Sequence, residues 1–246
     1  MTLRDARRAA SRLAALLLFL VAAPAFAEPF AATMAQRLLA CTGCHGPEGR
    51  AAADGYYPRI AGKPAGYLFN QLLNFRDGRR AYALMTNLLA PLDDAYLREI
   101  AAHFAGLDLP YPPPAPPALS PADLAAAARL VAEGDPARNL PACSACHGKE
   151  MTGTAPFVPG LVGLPRDYLN AQLGAWRSGQ RRALAPDCMA QVAQRLSPEE
   201  IGAVSAWLAA QPVPAHATAP AAAPKPLPIA CGGVAAAAGA ASGPTR

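Results

Sequence analysis

The chain has 246 residues, 52% of them hydrophobic and 16% charged, with a formal net charge of +5 at neutral pH. Its basic residues never gather into a run interleaved with aromatic side chains, so nothing supports nucleic-acid binding. After the first few dozen residues no apolar run approaches membrane-spanning length, which argues against a bundle of membrane-spanning helices.

The chain opens on a targeting pattern. Arg4, Arg7, Arg8 and Arg12 form a positive leader, Leu13 to Ala23 is an apolar stretch too short for a span, and Ala25-Phe26-Ala27 is a small-x-small cleavage site. Residues 1–27 therefore read as a cleavable signal peptide. The mature protein is expected in the periplasm, with no stable membrane insertion after cleavage. Removing the four arginines and one aspartate of this segment leaves 18 basic and 16 acidic residues, close to neutrality.

Residues 28–108 read as a first domain. An amphipathic helix over Phe30 to Ala40 runs into Cys41-Thr42-Gly43-Cys44-His45, the C-x-x-C-H attachment signature for c-type haem. The two thiols become thioethers on the haem vinyl groups, the spacer sets them on one helical turn, and the histidine places an imidazole nitrogen beneath the iron. Pro58 opens a P-x-[IL]-x-G string. Its carbonyl is a candidate acceptor for the second ring N–H of His45, since ligating histidines usually donate that proton to a carbonyl or carboxylate; a plain turn is the alternative. Gly66 to Phe75 and Asp93 to Phe104 are predicted as central and C-terminal helices. A proline-rich linker follows at 109–118, extended and fairly stiff.

Residues 119–211 repeat the unit. Ser120-Pro121-Ala122-Asp123 is a helix start, with Ser as cap and Pro in the first position, and Gly134 can stop that helix. Cys143-Ser144-Ala145-Cys146-His147 is the second C-x-x-C-H. Pro159 matches Pro58, Tyr168 matches Tyr67, Gln172 matches Gln71, and Trp176 matches Phe75. Arg166 to Trp176 and Ser197 to Ala209 are the corresponding helices, the latter opened by Ser197-Pro198-Glu199-Glu200. A domain this small has a thin core of its own, and a buried haem in each copy supplies apolar mass. Arg76, Arg80, Arg177 and Arg181 suit haem propionates, with solvated surface as the alternative. Residues 212–246 read as an irregular Ala/Pro-rich tail.

A low-spin haem iron needs a second axial ligand, usually Met or His. His103 aligns with Trp207, a packing slot, and His216 lies in the tail. Met34 precedes the first motif on its helix and is assigned to core. Met151 follows His147 too closely to cross to the distal face. Met85 and Met189 remain, at equivalent places just before each last helix. Two cysteines, Cys188 and Cys231, are left over after haem attachment. An even pair in an oxidising compartment predicts a disulfide, with two free thiols as the alternative.

From about residue 30 to 210 the chain resembles the cytochrome c4 family. The resemblance rests on both C-x-x-C-H-G strings, the P-x-[IL]-x-G turns, the Tyr-x-x-x-Gln-Leu strings (Tyr67 to Leu72, Tyr168 to Leu173), the [FW]-R-x-G-x-R strings, and Met85 and Met189. It implies an all-α fold of two tandem class I cytochrome c domains, each wrapped around one covalent haem c. It implies iron held by His45 with Met85 and by His147 with Met189. It also implies an electron carrier, not an enzyme, between respiratory donors and a terminal oxidase or reductase, with redox proteins such as a membrane oxidase or dehydrogenase as partners. The tail, Cys188 and Cys231 depart from the family pattern. Two other readings stay open: a cytochrome subunit of a periplasmic dehydrogenase, and a thiosulfate-dehydrogenase-like dihaem enzyme with the Cys188 thiolate on one iron.

Overall fold

The computed structural model describes residues 32–51, 55–114, 116, 117, 119–215, 217–221 and 226–234. The expected signal peptide, His216 and the last residues of the tail lie outside these. The described residues from Arg37 onward belong to one compact unit.

Where one helix was expected up to the first motif, two short ones occur: α1 (Met34–Arg37) and α2 (Leu39–His45). Leu38 interrupts them at φ −97° and ψ 10°, and its side chain is 1% exposed. The break turns this leucine into the core. Three helices complete the first copy: α3 (Ala65–Arg76), α4 (Ala83–Leu89) and α5 (Asp94–Ala105). Asp93 caps α5 by accepting from Tyr96 N, a contact worth about 1 kcal/mol. Leu97, Ile100, Ala101 and Phe104 form its buried stripe, and α3 packs across α5.

The second copy begins with α6 (Pro121–Glu133), capped by Ser120 and ended at Gly134. Helix α7 (Ser144–His147) carries the motif, and β1 (Gly153–Thr154) pairs antiparallel with β2 (Val158–Pro159). Then come α8 (Arg166–Arg177), α9 (Cys188–Arg195) and α10 (Pro198–Ala209). Ser197 and Glu200 close a reciprocal capping box on α10, which packs on α6 and α8. The core of this copy gathers Ala127, Val131, Met151, Val162, Leu164, Leu169, Val204 and Leu208. The fold is all-α, with one two-residue ribbon as its only paired strands among the described residues.

The linker is stitched down. Arg59 donates to Leu109 O at 2.5 Å and Pro110 O at 3.1 Å, and its guanidinium lies 3.8 Å from the centre of the Tyr111 ring. That ring packs so tightly on Gly163 of the second copy that a Cβ there would collide with it. Among the described residues of the tail from residue 212 there is no helix, yet they are held at both copies. Ala155 N donates to Pro220 O at 2.8 Å, Gly232 N to Pro186 O at 2.9 Å, and Asn70 Nδ2 to Gly233 O at 2.7 Å. No described helix is long and apolar enough to cross a membrane.

Candidate haem sites

Each C-x-x-C-H string ends a short helix, so its two cysteines fall on one face. His45 and His147 are the last helical residues and are buried. The chain turns away at Gly46 (φ +76°) and Gly148 (φ +79°), a conformation that favours glycine and explains the Gly after each motif.

His45 Nδ1 lies 2.8 Å from Pro58 O, and His147 Nδ1 lies 2.8 Å from Pro159 O. A carbonyl only accepts, so Nδ1 carries the proton and Nε2 keeps its lone pair. Burial lowers the proton affinity of both rings; the proline carbonyls oppose this, and the charges of Arg80 on His45 and Lys63 on His147 add to it. Both imidazoles are thus held neutral, the form a metal ligand needs. Burial also pushes the Cys143 thiol up to about 11 and raises Cys41 and Cys146. Redox C-x-x-C pairs do the opposite and lower a thiol. These cysteines suit neutral thioethers.

Both motifs open onto one connected cavity of about 1140 Å³. That exceeds the roughly 300–1,000 Å³ typical of a single small-molecule site. Its wall holds buried donors and cations. Trp176 Nε1 is buried with no partner. Arg181 and Lys63 are buried cations and Arg80 is half-buried; no carboxylate among the described residues pairs with any of them. Burying an unpaired charge is costly; the propionates of a bound haem would supply negative charge to Arg80 and Arg181. The residues present therefore fit two haem c groups.

The arginines divide. Arg80 and Arg181 line the cavity and share the side-chain oxygens of Gln71 and Gln172. Arg76 and Arg177 are neither propionate arms nor free surface. Arg76 donates to Leu92 O at 3.1 Å and pairs with Asp94, and Arg177 donates to Leu196 O, so each braces the loop before the last helix.

Of the methionines, Met85 on α4 and Met189 on α9 line the cavity, both half-buried. Met151 is in the second core at 3% exposure, and Met34 is half-buried on α1. His103 packs its ring edge-on against Phe104, 5.3 Å between centres. Cys188 and Cys231 form a disulfide with their Cα atoms 5.0 Å apart. Sequence reasoning missed Lys63 altogether, and it read the repeated Tyr-x-x-x-Gln strings only as family markers. Their doubled occurrence was the available signal: Tyr67, Gln71, Tyr168 and Gln172 all bond to Arg80 or Arg181.

A helical unit built twice around a C-x-x-C-H helix defines a dihaem c-type cytochrome of class I. No protein-family model matches the chain. A cytochrome c4 from Thiocapsa roseopersicina is 35% identical over 171 residues, 68% of this chain and 85% of that protein. The thiosulfate dehydrogenase electron acceptor of Thiomonas intermedia is 38% identical over 175 residues, 70% of this chain and 79% of that protein. The structure of reduced cytochrome c4 from Pseudomonas stutzeri aligns with a TM-score of 0.61 at 29% identity, over 71% of this chain and 94% of that one. The chain belongs to the cytochrome c4 family. It carries two covalently bound haem c groups, for which Cys41/Cys44 and Cys143/Cys146 are fitting motifs, and it is a dihaem electron carrier that works with redox proteins.

Proposed function

We propose that this is a periplasmic carrier that accepts single electrons from a thiosulfate-oxidising dehydrogenase and passes them to a terminal oxidase or reductase. One iron is held by His45 and Met85, the other by His147 and Met189. The observation that carries this reading is that Met85 and Met189 line the cavity shared by the two motifs while the Cys188 sulfur is bonded to Cys231, which favours filled axial positions. An iron with both axial positions filled offers no place for substrate, so the protein exchanges electrons only. The thiolate-ligated enzyme reading loses support because a disulfide sulfur is not a thiolate ligand. The donor class follows from the relatives named thiosulfate dehydrogenase electron acceptor.

The haem supplies the one-electron chemistry. The chain orients it through the proximal histidines, excludes water with the apolar wall, and leaves the methionines neutral. The test mixes the oxidised protein with a thiosulfate dehydrogenase and thiosulfate and follows the haem absorbance. Both haems should become ferrous, and the protein alone should not react with thiosulfate. Turnover of thiosulfate by the protein alone would overturn the carrier reading, and no reduction in the mixture would overturn the donor. Tight co-purification with a larger flavoprotein or quinoprotein would make it a subunit instead.

A further inference from the structure

We propose that Lys63, a residue of the first domain, sets the reduction potential of the second haem through its buried ammonium charge. This rests on His147 ligating the second iron.

The repeat is broken at this position. Lys63 follows the glycine of the first P-x-[IL]-x-G turn, and its counterpart in the second turn is Leu164, a core residue. The first domain therefore presents a cation where the second presents a hydrocarbon. Lys63 is 5% exposed. Its Nζ donates across the domain boundary to Gly160 O at 3.0 Å. Gly160 is the residue after Pro159, and Pro159 O takes the His147 N–H at 2.8 Å. The charge thus sits one peptide away from the group that holds the proximal ring of the second domain.

With Lys63 buried and its Nζ on the carbonyl next to the one that His147 uses, its charge acts on the second haem site through a medium of low dielectric. No carboxylate among the described residues pairs with Lys63, and the charge that acts on it is that of Arg59, of the same sign. Burial and Arg59 bring its pKa down to about 7. Taking one electron from the donor protein converts ferric iron to ferrous and removes one positive charge. A fixed cation nearby, in a wall of low dielectric, favours the product of that step. The second haem thereby owes part of its potential to a side chain of the first domain.

The experiment uses the full haem-loaded chain as Lys63→Met, Lys63→Gln and Lys63→Arg. Potentiometric titration at about pH 6 is followed by NMR, with the methyl resonances of each haem reporting its own oxidation state. In the Met and Gln forms the ferrous-to-ferric ratio of the second haem at fixed ambient potential should fall roughly threefold or more, while the first haem keeps its ratio. The Arg form should stay near wild type. Three results would overturn the proposal: no change at the second haem, an equal change at both haems, or a wild-type ratio in the Gln form, which keeps the hydrogen bond to Gly160 without the charge. If the Met form fails to load its second haem, the Gln and Arg forms still decide. Failure of His147 ligation would show separately, as a missing low-spin signal in the unsubstituted protein.

Discussion

Arg80 and Arg181 face each other across the two copies as a single antiparallel bridge. Ala81 N donates to Gln180 O at 2.8 Å and Arg182 N to Arg79 O at 2.7 Å. The same position of the duplicated unit, taken once from each copy, thus pairs with itself. The guanidiniums then cross over: Arg80 reaches Gln172 Oε1 at 2.6 Å, and Arg181 reaches Gln71 Oε1 at 3.0 Å. Arg181 also stacks on Trp176 at 3.8 Å.

Arg181→Ala should destabilise the haem-loaded protein by about 1.5–3 kcal/mol, because it strips charge-assisted bonds from Gln71 and Gln172. Arg80→Ala should cost less, since that side chain is partly solvated. Denaturant unfolding followed by haem absorbance measures both. Equal and negligible effects would show that the cluster is incidental to domain pairing.

Met85→Ala and Met189→Ala should each remove one methionine–iron bond. With one such charge-transfer chromophore expected per haem in the oxidised protein, the band should fall by about half in each variant and vanish in the double variant. A full band in either single variant identifies the wrong methionine.

The Cys188–Cys231 bridge closes a loop with a sequence separation of 43. In the chain-entropy account such a loop is worth roughly 4 kcal/mol. Cys231→Ser should lower the melting temperature and speed reduction of the second haem by a small reductant, while the first haem reacts unchanged. Non-reducing peptide mapping of the unsubstituted protein should recover the linked pair; two alkylated thiols would contradict the bridge.

Arg138 joins Asp135 at 2.7 Å to Glu200 at 2.8 Å, tying the loop after α6 to the start of α10. The hydrogen bond from Arg138 holds the Glu200 carboxyl below its usual range. A depressed carboxylate pKa adds stability that is present above the unfolded value and disappears as pH falls through the folded one. Arg138→Ala should therefore lower the melting temperature at neutral pH and have little further effect in strong acid. A constant offset across that range would contradict the linkage.

Much of this protein is legible in one dimension because its determinants are local. Cys, Cys and His fall within one helical turn. The proline turns sit 13 and 12 residues beyond the histidines. Ser120 and Ser197 announce their helices by capping three residues ahead. The duplication shows which helices are equivalent. The interruption at Leu38 was not legible, because it answers to burial rather than to propensity.

The sequence by itself determined two covalent haems, two helical units and the order of their parts. Tertiary structure alone decided how the copies join. Lys63 meets Gly160 across 97 residues, and Asn70 meets Gly233 across 163. No periodicity or spacing encodes contacts that far apart. They exist because folding around two apolar cofactors brings two weak cores together, and the buried donors trapped between them must find carbonyls, amide oxygens or propionates.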